Sequence, residues 1–249
     1  MTDARSVLAL TGADRTTFLQ NLVTNDVQQD SGTLVYTALL TPQGKFIADF
    51  FVVTEDDRLL IDVAQSHAAP LKQRLNMYKL RADVTITKTD LTVSCGTGTP
   101  PEDALPDPRH AALGWRAYGD NIQSDETDWA ALYVAHMIPR SGIELTPDTY
   151  ILEAGFERLN GIDFRKGCYV GQEIAARMKH KTTLKKGLAQ VRIAGKAEPG
   201  TAITHRDKPA GTLYSVSGDL GLAYLRFDRT DEMRAGDATL TLVKTATTA

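Results

Sequence analysis

The chain has 249 residues, 42% of them hydrophobic and 24% charged, the makeup of a globular protein of one large or two modest domains. Two cysteines are too few for a disulfide framework or a zinc finger, and they fit a compartment in which thiols stay reduced. A formal net charge of −3 gives no global reason to expect direct nucleic-acid binding. No apolar run approaches the roughly 18 residues of a membrane span, and MTDARSVLALTGADR does not read as a secretory signal. Together these features predict a cytoplasmic protein that does not engage a membrane.

SVLALTG reads as an opening strand, and ADRTTFLQNLV places Phe18, Leu19, Leu22 and Val23 on one side of a helix that TNDV ends. TLVYTALL, GKFIADFFVV and RLLIDVA are β-rich runs separated by TPQ and TEDD turns, the pattern of an antiparallel meander. Ser66 is placed to cap a helix over HAAPLKQRLNMYKL, and DVTITK and LTVSC read as two further strands. Residues 96–108, dense in Gly, Pro and acid, predict an exposed connection. A short strand near Trp115 follows, then a helix over ETDWAALYVAHMI with Trp129, Leu132, Tyr133, His136 and Met137 on one face. His136 has no second histidine at ligand spacing and reads as a hydrogen-bonded core residue. Thr146 and Pro147 are start signals for a helix over TPDTYILEAGFERL. From about residue 187, LAQVRIA, TAITH, AGTLYSV, LGLAYLRF and ATLTLVK predict a small antiparallel β-barrel. The order of elements is that of an α+β protein, with a body over 1–183 and a barrel over 184–249.

One motif stands apart. Residues 166–173, KGCYVGQE, run into QEIAARMK, a set of good helix formers, so Cys168 is expected just ahead of a helix N-terminus. Free backbone N–H groups there favour a thiolate, and Lys166 and Arg177 add positive potential if they fold toward it. Gly167 and Gly171 permit tight turning and close backbone approach, while Gln172 and Glu173 suit the first turn of a helix. A well-capped helix beside a small buried residue accounts for the same pattern. His180 lies too far along that helix to act as base for the thiol, about eight residues of helix rising roughly 12 Å. Cys95, at the end of a strand run, reads as buried packing. The basic run Arg177, Lys179, His180, Lys181, Lys185 and Lys186 is either a solvated helix end or a docking surface.

KGCYVGQE resembles the K-G-C-Y-x-G-Q-E signature of the YgfZ-type folate-binding proteins, whose relatives include a mitochondrial assembly factor for four-iron clusters. TGADRTTFLQNLVTNDV, LTPQGKFIADFFV, GTLYSV and LGLAYLR are similar to other blocks of that family, so the resemblance covers nearly the whole chain. More distantly, DTYILEAG is similar to a block of the glycine-cleavage T-protein, a tetrahydrofolate-dependent aminomethyltransferase. The resemblance implies a GcvT-like, folate-binding α+β body of antiparallel sheets with packed helices, followed by the barrel. It implies that Cys168 is the essential thiol, within a motif of Lys166, Gly167, Tyr169, Gly171, Gln172, Glu173 and Arg177. Asn25, Asp26, Asp49 and Glu153 are the implied folate contacts, although Asn25 and Asp26 are also ordinary turn formers after a helix.

Two departures weigh against transferase chemistry. Ala48 stands where T-proteins carry the first of two adjacent aspartates, and Ile151 where they typically carry an arginine for the folate tail. A thiolate is a soft ligand suited to iron–sulfur clusters, yet one cysteine cannot hold a cluster alone. The resemblance therefore implies a folate-binding accessory protein for iron–sulfur cluster assembly or repair, with Cys168 as a ligand to a transient cluster shared with a partner. Its cofactor would be tetrahydrofolate, with Lys185 and Lys186 left to meet a polyglutamate tail. Its partners would be iron–sulfur carriers and recipients, among them a radical enzyme of tRNA modification. The alternative is a tetrahydrofolate-dependent, aminomethyltransferase-like one-carbon transferase.

Overall fold

The structure, a computed structural model, describes residues 4–120 and 124–246. It divides into two compact units, Met1–Thr127 with Leu159–Glu173, and Asp128–Arg158 with Ile174–Ala249.

The first unit begins with β1 (Arg5–Thr11), α1 (Arg15–Gln20), β2 (Leu34–Leu40), β3 (Phe46–Thr54) and β4 (Leu59–Ala64). It continues through α2 (Gln65–Lys79) and β5 (Thr85–Lys88). The five strands form one antiparallel sheet in the order β2-β3-β4-β1-β5, so the meander expected over β2 to β4 is present. Alternation sorts the side chains of this sheet onto two faces. Val35, Leu39, Ala48, Phe50, Val52 and Ile61 join one hydrophobic core with Leu19 of α1 and Leu71 and Leu75 of α2. Tyr36, Asp49, Phe51 and Asp62 occupy the other face, where Tyr36 pairs with Phe51 and Phe51 with Asp62. A second, three-stranded sheet of β6 (Val93–Gly96), β7 (Leu105–Pro106) and β8 (Trp115–Tyr118) has the order β6-β8-β7.

Two local expectations are corrected here. Ser66 is not the cap of α2: the helix starts at Gln65 directly out of β4, and Ala64 at the N-cap makes no side-chain bond. The Gln65 N–H is taken instead by the Ala4 carbonyl at 2.8 Å, so a neighbouring strand end replaces the side-chain cap. The 96–108 stretch is exposed over 97–100 but is not wholly a surface connection, because β7 pairs with β8 and Asp107 is buried beside Arg109.

The second unit contains α3 (Trp129–His136), capped by Asp128, whose carboxylate accepts from the Ala131 N–H at 3.1 Å. Its inward face is Trp129, Val134 and Met137, with Tyr133 and His136 half-buried. The helix expected from Thr146 is absent; residues 151–160 form successive turns. Gly155 lies at φ +81° with Ala246 packed so close that an added Cβ would come within 2.9 Å, and Phe156 bonds back to the Ile151 carbonyl at 3.1 Å. A left-handed residue in mid-segment is incompatible with a continuous helix, whatever the start signals say. After α4 (Gln172–Lys181), the strands β9 (Lys186–Ala194), β10 (Ala202–His205), β11 (Lys208–Ser217), β12 (Leu220–Arg226), β13 (Met233–Ala235) and β14 (Ala238–Thr245) close into the expected antiparallel barrel. Among the described residues no helix is long and apolar enough to cross a membrane.

Candidate functional site

The motif forms an arch. Lys166 and Tyr169 are buried while Gly167 and Cys168 between them are exposed. The Lys166 ammonium donates to the carbonyls of Gln20 at 2.7 Å, Val23 at 2.6 Å and Asn25 at 3.0 Å, the three acceptors lying at and just past the end of α1. Helix ends leave such carbonyls without intrahelical partners, and a cation is the favoured guest. Burial lowers the pKa of Lys166 to about 8 even though Asp26 and Asp163 pull it upward. The Tyr169 ring centre lies 5.3 Å from the same ammonium, its buried hydroxyl has no hydrogen-bond partner among the described residues, and burial pushes the phenol up to about 12.

A third anchor is Gly171. It sits at φ +84°, and a Cβ there would lie 2.7 Å from the Thr41 carbonyl oxygen, so both conformation and space call for glycine. Gly167, by contrast, faces open space, and the close approach expected of both glycines holds only for Gly171. The helix starts at Gln172, four residues beyond Cys168, with Glu173 exposed in its first turn. The Gln172 N–H reaches back to the Tyr169 carbonyl at 3.3 Å, closing the arch. Cys168 thus lies ahead of the helix, separated from it by Tyr169–Gly171, and the Lys166 ammonium is bonded to three carbonyls. The other thiol, Cys95, is buried as expected, and burial raises its pKa.

Asn25, Asp26 and Asp49, the implied folate residues of the first unit, are each bonded to other groups of that unit. Asn25 donates to the carbonyls of Tyr36 at 2.9 Å and Asn160 at 2.7 Å and accepts from the Asp26 N–H. Asp26 accepts from Gln20 and from the Gln28 N–H, both at 3.0 Å. These two residues thus brace the loop whose carbonyls grip Lys166, the turn-forming role rather than an open ligand edge. Asp49 is buried and accepts from the Tyr36 hydroxyl at 2.9 Å, on the sheet face opposite Ala48. Ile151 is buried in the turn segment.

Sequence reasoning missed the buried charges on that opposite face. Asp62 accepts from Arg5 and Arg116, each at 2.6 Å, and from the Tyr118 hydroxyl at 3.1 Å. Burial raises the Asp62 pKa, but the guanidiniums of Arg116 and Arg5 outweigh it and hold the carboxyl below its ordinary range. Arg116 and Arg109 lie 4.0 and 4.8 Å from the Phe51 ring centre. A charge inside an otherwise apolar run, the Asp in LLIDVA, was the available signal.

Glu153 belongs to the second unit. It is buried, its carboxylate accepts from the Tyr224 hydroxyl, and it lines a cavity of about 520 Å³ together with Tyr150, Ile174, Arg177, Lys185 and Lys186. A carboxylate acceptor beside apolar walls and cations suits a folate, whose ring carries N–H donors and whose tail carries carboxylates. Among the described residues no group of three or more His, Cys, Asp or Glu could hold a metal ion.

Residues 4–96 match the GCVT N-terminal domain and residues 185–248 the CAF17 C-terminal beta-barrel domain. The chain is 30% identical to the iron-sulfur cluster assembly factor IBA57 homolog, mitochondrial, of Mycosarcoma maydis, covering 83% of this chain and 60% of that protein. It is 27% identical to the homolog of the same name from Pyricularia oryzae, over 90% of this chain and 70% of that one. Against the mouse iron-sulfur cluster assembly factor IBA57, identity is 28% over 90% of this chain and 76% of that one. The chain spans only 51% of the Neurospora crassa relative. Every relative named here is a mitochondrial protein, which overturns the cytoplasmic expectation. The crystal structure of glycine cleavage system aminomethyltransferase T from Bartonella henselae superposes with a TM-score of 0.76 over 98% of this chain and 83% of that one, at 12% identity. The fold is therefore GcvT-like, with a closed six-stranded antiparallel barrel at its C-terminal end.

Proposed function

We propose that this chain, which joins a GCVT N-terminal domain to a CAF17-type barrel, is an accessory factor in iron–sulfur cluster assembly or repair. It offers one thiol to a cluster whose remaining ligands come from a partner protein. The observation that carries this reading is the exposed Cys168 on an arch held at Lys166, Tyr169 and Gly171. A soft ligand at an exposed position lets a cluster carried by another protein approach. Anchors on both sides lower the conformational entropy lost when the thiol binds. The relatives, iron-sulfur cluster assembly factors by name, support the same assignment. Partners would be carriers and recipients of clusters, supplying the other thiolates.

Tetrahydrofolate is the proposed small-molecule ligand, and the Glu153 cavity supports it, with Glu153 accepting from the ring and Arg177, Lys185 and Lys186 facing the tail. Bound there, folate would supply one-carbon chemistry, but the chain offers it little help. Ala48 lies in the apolar core, and the neighbouring Asp49 is engaged by Tyr36. Assembly is thus favoured over one-carbon transfer.

The test is anaerobic mixing of a cluster-loaded carrier with wild type or Cys168→Ser, followed by isolation of the complex and iron and sulfide analysis. Wild type is expected to retain cluster in the complex, and the serine variant to lose it with its melting temperature unchanged, since serine is a poor soft-metal ligand. Equal retention by both proteins would overturn the assignment of Cys168.

A further inference from the structure

The turn that ends α2 holds a leucine where the backbone calls for glycine. The Ala82 N–H bonds to the Lys79 carbonyl at 2.8 Å, closing a turn with Leu80 and Arg81 at its centre. Leu80 lies at φ 44°, ψ −104°, close to the type II′ geometry whose first central position ordinarily takes glycine. Burial does not offset the strain, because Leu80 is 88% exposed. Met77, one helical turn back, is 63% exposed, and among the described residues Val243 is the only other exposed large apolar side chain.

The same segment carries charge of one sign. α2 contains no Asp or Glu, whereas Lys72, Arg74, Lys79 and Arg81 line its second half and the turn. Among the described residues none of these four joins an ion pair. Backbone groups occupy the nearest carboxylates: Asp83 accepts from the Ala13 N–H at 3.1 Å, and Asp14 from the Asp83 N–H at 2.8 Å. On a chain with a formal net charge of −3 this is a local excess of positive charge around two exposed apolar side chains.

α2 also links this patch to the thiol. It begins beside the hairpin turn at 41–45, where Phe46 meets the His67 ring at 6.2 Å between centres, and that turn packs against Gly171 of the arch. From there the helix carries the chain roughly 22 Å to Leu80, within the breadth of an interface burying about 800 Å² on each partner. A second copy packed about a two-fold axis would set these cations against themselves. RNA would meet the cations, but stacking needs aromatic faces that Met77 and Leu80 do not offer. A lipid surface takes the whole apolar face of a helix, and here Ala68, Leu71 and Leu75 are already in the core. A protein surface with carboxylates around an apolar depression answers both features.

We propose that the end of α2 is a docking surface for the cluster-carrying partner, with Leu80 and Met77 entering an apolar depression and the four cations meeting carboxylates around it. The identity of the partner rests on the assembly reading.

The experiment is calorimetric titration of the full chain with the iron–sulfur carrier in its cluster-free form, so that docking is read without the thiol's contribution. Wild type is compared with Arg74→Glu, Arg81→Glu as a double variant, with Leu80→Gly, and with Lys208→Glu on the barrel as a control for net charge. The double variant is expected to bind roughly tenfold more weakly or worse, and wild-type affinity to fall as salt rises. Leu80→Gly should also weaken docking while raising the melting temperature, since glycine relieves the turn. Lys208→Glu should match wild type. Unchanged affinity in the double variant and in Leu80→Gly, or no binding of the cluster-free carrier to wild type, overturns the surface. Cluster retention by wild type but not by Cys168→Ser with the loaded carrier would then still uphold the assembly reading. Weakened docking in the α2 variants with equal cluster retention by wild type and Cys168→Ser has the opposite meaning: the surface stands and the thiol assignment falls. Phosphatidylserine vesicles, bulk tRNA and the wild-type chain alone at high concentration complete the set. Binding or self-association there that the α2 variants abolish, with carrier affinity unchanged, assigns the face to that occupant and overturns the proposal.

Discussion

The two glycines of KGCYVGQE look equivalent on the page, yet only one of them is held by its surroundings. Gly171 combines a positive φ with a backbone oxygen where a Cβ would go, while Gly167 faces open space. Gly171→Ala is therefore expected to destabilise the chain by about 1–3 kcal/mol, from left-handed strain together with displacement of the Thr41 carbonyl. Gly167→Ala should stay within about 0.5 kcal/mol, as surface changes usually do. Urea unfolding of both variants checks this, and hydrogen exchange over 165–172 should quicken in the first alone. Equal losses would mean that the arch is not held at Gly171. Lys166 shows the same limit of residue patterns: a lysine two positions from a thiol suggests an activating charge, and the spacing gives no sign of the three carbonyls at and after the end of α1 to which its ammonium is bonded. Sequence spacing brings residues near each other along the chain without saying which way a long side chain turns.

At the scale of elements, Asp62 links three strands. It lies on β4, takes Arg5 from β1, and takes Arg116 and Tyr118 from β8 in the other sheet of the first unit. Removing one partner of such a group leaves charges buried without compensation, so Asp62→Ala is expected to cost about 3–5 kcal/mol. The pH dependence has a definite sign. The folded-state pKa lies below the ordinary 3.8, so the carboxylate contributes its full stability above that value and loses it as pH falls through the lower folded value. Wild type should therefore show a steep loss of stability below about pH 4, and Asp62→Asn, already weakened at pH 7, a shallower one. Parallel acid-unfolding curves would show that Asp62 does not govern this region. The strands themselves were legible, because alternation over β2 to β4 and the Gly, Asp and Pro turns of the barrel are local signals. The misread helix over 147–159 failed for a tertiary reason, since good start signals do not reveal that Gly155 must lie left-handed against Ala246. Ser66 misled similarly, because the group that replaces its cap, the Ala4 carbonyl, is far away in sequence.

At the scale of the whole molecule, the thiol is carried by a segment that folds with residues distant from it in sequence. Leu159–Glu173 is counted with Met1–Thr127, although Asp128–Arg158 between them belongs to the other unit. The ties are specific: Thr24 donates to the Gly161 carbonyl at 2.7 Å, Asn25 to that of Asn160, and Lys166 to three carbonyls after α1, while Val170 packs on the main core. A fragment of residues 1–127 should thus retain its sheets but lack this closing segment, leaving buried carbonyls without donors at about 1–3 kcal/mol each. A synthetic peptide of residues 159–173 should bind that fragment and raise its melting temperature, because a ligand at a hundred times its Kd adds about 2.7 kcal/mol. The same peptide with Lys166→Met should stabilise it much less, whereas a Cys168→Ser peptide should match the natural one, since the thiol points out of the arch and supports none of its anchors. Scanning calorimetry of the fragment with each peptide reads the three cases directly. If the serine peptide failed and the methionine peptide succeeded, Cys168 would be a packing residue and Lys166 a bystander, and the exposed thiol could no longer be separated from the structure that presents it.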